Sequence, residues 1–290
     1  MISAPRRTFT IPLPNGGTLA LGHRCLVMAI LNVTPDSFAQ RGPLDPAAAV
    51  EVALQMEAAG ADVIDVGGES TRPGAEPVAA DVELARVLPV LRALQGRLRI
   101  PISIDTYKAS VAGPALDAGA VMVNDVSGLQ YDPPLAKVAA ASRAALILMH
   151  TRGRPQTMAA EAVYKDVTAE VVAELRTSIA AACAAGVAIE RIIADPGIGF
   201  AKRPSHSYGV LAHVADIAAA LDRPLLVGAS RKSFLRDAVG GRPAPERDWG
   251  TAAAVTAAVL GGAHIVRVHA VAEMVQVVRV AEEIRRIADC

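Results

Sequence analysis

Apolar residues alternate along the chain between short unbroken runs and longer stretches with helical spacing. The run over residues 26–31 is apolar throughout, which is typical of a strand buried on both faces. In the stretch 46–59, Val50, Ala53 and Leu54 recur at the spacing of one helix face. Together the two stretches predict one strand followed by one helix.

The same alternation continues to the end of the sequence and gives eight strand-helix pairs in all. The remaining predicted pairs are 62–66 with 81–94, 101–105 with 109–118, 120–124 with 134–140, 145–150 with 166–185, 191–195 with 207–220, 224–229 with 249–260, and 263–268 with 272–288. Such pairs permit a closed barrel or an open doubly wound sheet, but closure removes both sheet edges and suits a chain of 290 residues. The pattern predicts an α/β fold, a single-domain TIM (β/α)8 barrel over 1–290, with residues 1–20 as a short extension.

Composition narrows the class of protein. Hydrophobic residues make up 52% of the chain but aromatic residues only 3%, so Ala, Val, Leu and Ile must build the core. Lys and Arg (29) balance Asp and Glu (29) without a basic run, which argues against nucleic-acid binding. No segment reaches the roughly 18 apolar residues of a membrane span. We expect a cytoplasmic protein that acts on small molecules.

Three cysteines, Cys25, Cys183 and Cys290, lack any spacing typical of a zinc site. Their number is odd, which does not suggest a disulfide framework. We expect reduced thiols, with Cys25 and Cys183 as small residues of the core.

Polar residues collect where the predicted strands end. In a barrel of parallel strands these ends meet at one rim above an apolar interior, so polar residues there indicate chemistry. Asp105, Asn124 and Asp195 each end an apolar strand. Two carboxylates and an amide suit a flat heterocycle rich in N–H donors, such as a pterin or a guanine. The alternative is that these residues cap the helices that follow.

Cationic side chains end the last two predicted strands. Lys232, Arg267 and His269 lie where many barrels bind phosphate, which indicates an anionic group on the substrate. The alternative is ordinary surface charge. The segment 228–233 lacks the GxxxxGK[ST] spacing of a phosphate-binding loop, so nucleotide hydrolysis is not indicated.

Two further segments carry weaker signals. Residues 32–38 combine oxygen donors that suit a hard cation, which indicates a Mg²⁺ site at Asn32. The alternative there is an ordinary turn at Thr34 and Pro35. Residues 67–74 form a polar loop with several glycines that could close over a ligand.

Seven segments of the chain, taken in order, resemble those of the dihydropteroate synthase family. They are 31–38, 65–74, 103–106, 124–128, 195–200, 230–233 and 267–269. The resemblance implies an enzyme of folate biosynthesis that condenses 6-hydroxymethyl-7,8-dihydropterin diphosphate with 4-aminobenzoate, giving 7,8-dihydropteroate and pyrophosphate, with Mg²⁺ as cofactor. It also implies a homodimer, and competition by sulfonamides for the 4-aminobenzoate site.

The resemblance implies a role for each matching residue. Those implied to hold or line the pterin are Asp105, Asn124, Asp195, Lys232, Met149 and Phe200. Those implied to bind the diphosphate or Mg²⁺ are Arg267, His269 and Asn32. Those implied to shape the rest of the substrate site are Phe38, Thr71, Arg72, Pro73, Gly228, Ser230 and Lys232. Catalysis would depend on Asp105, Asp195, Lys232 and Arg267, without a protein nucleophile.

One departure from the family pattern concerns the loop after Phe38. The family usually continues with Ser-Asp-Gly-Gly, whereas this chain has Ala39, Gln40, Arg41 and Gly42, so a loop carboxylate is missing. A pterin-binding paralogue with weak or no synthase activity is therefore an alternative. A pterin-dependent methyl-transfer domain would need a corrinoid-binding partner and explains the diphosphate-binding residues poorly, and a non-catalytic scaffold explains the polar strand ends least well.

Overall fold

The structure is a computed structural model that describes residues 6–34, 45–72 and 74–288. It begins with two antiparallel strands, β1 (Phe9–Pro12) and β2 (Thr18–Leu21), which form a hairpin. In its turn, Asn15 Oδ1 accepts a hydrogen bond from Gly17 N at 3.0 Å. The sequence predicts only a short extension here, because strands of four residues are too short to show a clear alternation.

Parallel strands form the barrel. They are β3 (Leu26–Asn32), β4 (Val63–Gly67), β5 (Ile102–Asp105), β6 (Met122–Asp125), β7 (Ala145–Met149), β8 (Ile192–Asp195), β9 (Leu226–Val227) and β10 (Ile265–Val268). Neighbours pair in the order β8-β7-β6-β5-β4-β3-β10-β9, and a parallel bridge between Ala194 and Leu225 joins the two ends. The predicted (β/α)8 barrel is confirmed.

Helices cover the outside of the barrel. They are α1 (Pro46–Ala58), α2 (Ala80–Leu94), α3 (Ala109–Asp117), α4 (Leu135–Ala141), α5 (Val167–Ala184), α6 (Pro204–Ala212), α7 (Val214–Leu221), α8 (Asp248–Leu260) and α9 (Val271–Ala288). The single helix predicted over 207–220 is wrong, because the chain breaks at His213, whose φ of −111° is not helical, into α6 and α7. The strand predicted over 224–229 is shorter than expected, since the chain leaves the sheet at Gly228.

Side chains alternate in direction along the barrel strands and build two separate apolar layers. On β4, Ile64 and Val66 belong to the layer between barrel and helices, whereas Val63 belongs to the layer inside the barrel. Asp65 shares the inward phase of Val63. The same alternation carries polar side chains inward at the ends of other strands, so they rise directly above the apolar interior.

The hairpin closes the opposite, N-terminal end of the barrel. Its apolar residues Ile11, Leu13, Leu19 and Leu21 are buried in the same layer as Met28 and the other inward side chains. Since this end is filled by side chains, the polar rim at the carboxyl ends of the strands is the end of the barrel available for chemistry.

The cysteine predictions have mixed outcomes. Cys25 is buried, as predicted for a small core residue. The same prediction for Cys183 is wrong, because Cys183 is exposed on α5 next to the buried Ala182. Because α5 is rich in Ala, its buried and exposed faces differ little in hydrophobicity, and the sequence does not show which face Cys183 occupies. Cys290 lies outside the described residues.

Across 6–34, 45–72 and 74–288, the structure contains no helix with both the length and the apolar character that crossing a bilayer requires.

Candidate active site

A hydrogen-bonded network lies across the rim at the ends of β4, β5, β6 and β10. Arg267 donates from Nε to Asp65 Oδ2 at 2.6 Å and from Nη2 to Asp105 Oδ2 at 2.5 Å. Asn124 Nδ2 donates to the same Asp65 oxygen at 2.9 Å. The network therefore joins two carboxylates, an amide and a guanidinium whose residues are up to 202 positions apart in the sequence.

Burial sets the charge states in this network. Burial raises the pKa of Asp105 to about 7, although the guanidinium of Arg267 opposes the rise. Burial also disfavours the charge of Arg267, but Asp65 and Asp105 outweigh this effect, so its pKa is raised. The site thus holds a permanent cation beside a carboxylate that titrates near neutral pH.

A second group lies at the ends of β8 and β9. Asp195 Oδ1 accepts from Gly197 N at 2.7 Å. A Cβ placed on Gly228 would lie 4.0 Å from Asp195 Oδ2, 3.7 Å from Lys232 Nζ and 3.9 Å from Arg267 Cβ. Three predicted residues therefore surround one position, and the missing side chain of Gly228 leaves room between them.

Asp195 and Lys232 influence each other's charge. Burial raises the pKa of Asp195, and the nearby ammonium of Lys232 opposes the rise. Burial lowers the pKa of Lys232 to about 8, and Asp195 opposes the fall. A ligand that accepts a hydrogen bond from Lys232 while donating to Asp195 matches both groups.

The alternatives left open for these residues are excluded. The helices that follow Asp105, Asn124 and Asp195 have other residues as N-caps, so the capping explanation is wrong. Arg267 pairs with two carboxylates and Lys232 Nζ donates to the backbone oxygen of Ile198, so neither is ordinary surface charge.

Apolar and aromatic side chains form a wall beside the polar groups. Met149, Tyr107 and Val126 form a buried cluster against which Phe200 and Tyr131 pack. Lys232 Nζ lies 4.5 Å from the centre of the Phe200 ring, within cation–π range. Met149 and Phe200 therefore occupy the same region as the predicted polar groups, and an aromatic ligand would find both a flat surface and hydrogen-bonding edges there.

Ser230 and His269 face each other at the ends of β9 and β10. Ser230 Oγ lies 2.9 Å from His269 Nδ1, and it accepts from His269 N at 3.2 Å. Burial lowers the pKa of His269 to about 3, and the charges of Arg267, Arg231 and Arg72 act in the same direction. His269 is therefore a neutral hydrogen-bonding group at pH 7 in the free protein.

The loop after β4 is held at its base. Glu69 accepts from Tyr107 Oη at 2.9 Å and pairs with Lys108, which also pairs with the buried Glu83 of α2. Arg86 Nη1 donates to the backbone oxygen of Gly68 at 2.8 Å. These contacts place the loop that carries Thr71 and Arg72 beside the rim.

The tip of that loop contacts the loop after β7, where Gly74 N donates to Pro155 O at 2.9 Å. Phe38 and Pro73, predicted to shape the substrate site, lie outside the described residues, and so does Gln40, which replaces the expected loop acid. Their predicted roles remain predictions.

The predicted Mg²⁺ ligand, Asn32, ends β3 beside the network. A Cβ on Gly67 would lie 3.7 Å from Asn32 Oδ1 and 3.5 Å from Asp105 Oδ2, so both oxygens border the backbone at Gly67. Within the described part of the chain, no group of three His, Cys, Asp or Glu side chains could hold a metal ion. The oxygen of an Asn side chain is a ligand type that Mg²⁺ accepts, and Mg²⁺ commonly takes its other ligands from substrate phosphates and water.

Two features were not predicted as part of the site. Asp65 is fully buried inside the barrel and organises the network, although the sequence shows it only within a matching segment. Lys202 is buried, and its Nζ lies 2.8 Å from Nδ1 of the buried His150. Burial lowers the pKa of Lys202 to about 7. The sequence could have indicated Asp65, because an acidic residue lies there at an inward-facing position of β4. Nothing in the sequence around Lys202 indicates that it pairs with His150.

Comparison with known proteins adds independent findings. A sequence model described as the pterin binding enzyme family matches residues 28–269. The chain belongs to the pterin binding enzyme family. Within that family it is 46% identical over 280 residues to a dihydropteroate synthase of Synechocystis sp., covering 96% of each chain.

Solved structures of the family agree with the described fold. The chain matches Burkholderia cenocepacia dihydropteroate synthase complexed with 7,8-dihydropteroate with a TM-score of 0.87 and 42% identity, covering 97% of this chain and 98% of that one. It matches Xanthomonas albilineans dihydropteroate synthase with 4-aminobenzoic acid with a TM-score of 0.87 and 38% identity, covering 98% and 99%. The fold and the order of its elements are thus shared with family members over nearly their whole length.

Proposed function

We propose that this chain is a dihydropteroate synthase, which condenses 6-hydroxymethyl-7,8-dihydropterin diphosphate with 4-aminobenzoate and releases pyrophosphate. The observation that carries the proposal is the meeting of Asp105, Asn124, Asp195, Lys232 and Arg267 at one rim. The family membership and the identity over 96% of the chain support the same activity.

The pterin ring suits the hydrogen-bonding edges of the site. Its amino and ring N–H groups donate to Asp195 and to the oxygen of Asn124, and its carbonyl accepts from Lys232. The wall formed by Met149 and Phe200 packs against the flat face of the ring. These contacts bind the ring in one orientation.

Bond cleavage produces charge that the site is arranged to stabilise. The bond between the pterin methylene carbon and the diphosphate oxygen breaks, and its electron pair leaves with pyrophosphate. The positive charge that develops on the ring is stabilised by the carboxylates of Asp105 and Asp195, while Arg267 and His269 donate hydrogen bonds to the leaving group. The arylamine nitrogen of 4-aminobenzoate then bonds to the methylene carbon and loses a proton.

Mg²⁺ is the proposed cofactor. Asn32 would supply one oxygen ligand, with the diphosphate and water supplying the others. When bound, the ion neutralises charge on the leaving pyrophosphate. Chelation of the metal should therefore abolish turnover reversibly, with activity restored by added Mg²⁺.

Pyrophosphate release is the decisive assay. Purified protein supplied with Mg²⁺, the pterin diphosphate and 4-aminobenzoate should release pyrophosphate, and omission of 4-aminobenzoate should stop continuous release. Asp195→Asn should fold normally but lose most of its pterin affinity. Release that does not exceed background would refute the synthase activity, and unchanged pterin binding by Asp195→Asn would show that the pocket is assigned wrongly.

The same assay separates the rival functions. A pterin-binding paralogue, suggested by Gln40 in place of the usual loop acid, binds pterin without sustained turnover. A methyl-transfer domain depends on a corrinoid-binding partner and releases no pyrophosphate. Sustained, Mg²⁺-dependent release with both substrates is expected from the synthase alone.

We also propose a cytoplasmic homodimer. Val280, Ile284 and Ile287 recur along one face of α9 and are 62%, 45% and 65% exposed. Such a stripe is suited to contact with a second copy of the chain. Light scattering coupled to size exclusion should give the mass of a dimer, and Ile284→Glu should shift it towards the monomer. A wild-type protein of monomeric mass would contradict this assembly.

A further inference from the structure

Asp65 is a fully buried acidic residue of the site. It lies inward on β4, pairs in register with Ile30 of β3 and Ser103 of β5, and has no exposed surface. Its Oδ2 accepts from both Asn124 Nδ2 and Arg267 Nε. Asp65 thus lies one layer below the strand ends where ligand is proposed to bind.

The two hydrogen bonds that Asp65 Oδ2 accepts fix the direction of the Asn124 amide. A carboxylate oxygen that already accepts from a guanidinium accepts further hydrogen bonds but donates none, so only the NH₂ end of Asn124 can face it. The carbonyl oxygen of Asn124 must then point away from Asp65. Beside Asp105 and Asp195, this adds a third acceptor to the rim.

Asp65 has one oxygen without a protein partner. Within the described residues, Asp65 Oδ1 and the Oγ of its register neighbour Ser103 are both buried and make no hydrogen bond. A buried carboxylate left partly unsatisfied is costly for folding. Stability alone therefore does not account for an acid at this position.

We propose that Asp65 is a positioning residue that sets the preference of the site for donor-rich rings, by holding the amide of Asn124 with its oxygen towards the ligand. This inference rests on the proposed function, because it takes the ligand to be a pterin. With Asp65 in place, the rim rejects a ring that offers a carbonyl where pterin offers an amino group. Without it, the Asn124 amide can turn and donate to such a carbonyl.

The test compares two ligands that differ at one position. The ligands are 6-hydroxymethylpterin and 6-hydroxymethyllumazine, in which a carbonyl replaces the 2-amino group, and their dissociation constants are measured by titration calorimetry. The wild type should prefer the pterin on the order of 100-fold, because unmatched buried polar groups are costly. Asp65→Leu should reduce the preference to about tenfold or less, and Asp65→Asn should keep part of it, because its amide oxygen can still accept from Asn124.

Two further variants separate positioning from damage to the barrel. Ser103→Ala removes the neighbouring polar group in the same layer and should leave the ligand preference unchanged. In an Asn124→Ala background, replacing Asp65 should change the preference less than about twofold, because the residue through which it acts is gone. This comparison uses Asp65→Asn if Asp65→Leu does not fold.

The outcomes are distinct. The inference would be overturned if folded Asp65 variants kept the full preference for the pterin over the lumazine. It would also be overturned if replacing Asp65 had the same effect with and without Asn124, or if the wild type showed no preference for the pterin. Pyrophosphate release by the wild type reports separately on the proposed function. A wild type that binds pterin without turnover would refute the synthase activity but leave the role of Asp65 to be decided by the binding data.

Discussion

Replacing Arg267 with Met tests the electrostatics of the site most directly. The guanidinium neutralises two carboxylates, at 2.6 Å from Asp65 and 2.5 Å from Asp105. Removing one partner of a buried ion pair typically costs about 3–5 kcal/mol, because the remaining charge stays buried. For a chain of this length, each kcal/mol corresponds to about 2 °C of melting temperature, so Arg267→Met should melt about 6–10 °C below wild type at pH 8.

The deficit should depend on pH in a defined direction. The pKa of Asp105 is already raised to about 7 with Arg267 present, and loss of the guanidinium raises it further. A carboxyl whose folded pKa lies above its unfolded value lowers the stability of the fold at high pH; this cost declines as the pH falls below the folded pKa and vanishes only below the unfolded pKa. The melting difference between variant and wild type should therefore shrink from pH 8 to pH 5.5.

Scanning calorimetry at the two pH values measures both effects. Arg242→Met is the matched control, because Arg242 pairs with Glu246 on the surface, where the two side chains are 61% and 53% exposed. Such exposed ion pairs contribute little to stability, so the control should have the same melting temperature as the wild type. A deficit in Arg267→Met that stays constant or grows towards low pH would refute the assignment of buried charge to Asp105.

Further predictions concern activity and binding. The ionised form of Asp105 stabilises the cationic ring and its pKa is about 7, so kcat/KM should fall as the pH drops through this value. Asp105→Asn should be slower than the wild type but should lack this fall in kcat/KM. An unchanged pH profile in the variant would contradict the role assigned to Asp105. His269→Gln should weaken binding of the pterin diphosphate about tenfold while leaving the unphosphorylated pterin unaffected in calorimetry, and equal losses for both ligands would argue against a diphosphate contact. Lys202→Met removes a cation that opposes the rise in the pKa of Asp195. Pterin affinity should therefore fall about tenfold, and the loss should be larger at pH 6 than at pH 8. A loss of affinity that does not depend on pH would indicate a packing defect instead.

The rim could be predicted from sequence because it depends on local periodicity. Strand residues alternate in direction, and the carboxyl ends of parallel strands meet, so Asp105, Asn124 and Asp195 could be assigned to one mouth without knowledge of their contacts. The same reasoning predicts Lys232 and Arg267 at neighbouring strand ends. Each of these residues is a polar residue at or just after the end of the apolar run of a predicted strand.

Pairings across the barrel could not be predicted in this way. The bond from Arg267 to Asp65 joins residues 202 positions apart, and the one from Lys202 to His150 joins residues 52 apart. No periodicity specifies which side chains meet over such separations, because the choice depends on side-chain length and on the tilt of the closed sheet. The break at His213 was missed for a related reason, since the apolar residues on both sides keep helical spacing.

The N-terminal hairpin has a consequence for protein engineering. Ile11, Leu13, Leu19 and Leu21 belong to the barrel interior as fully as the strand residues do, although they precede the first barrel strand. Trimming the chain to a minimal run of strand-helix repeats would uncover the base of the barrel to water and invite aggregation. Shortened or permuted versions of this enzyme should therefore retain the hairpin, which covers the N-terminal end of the barrel.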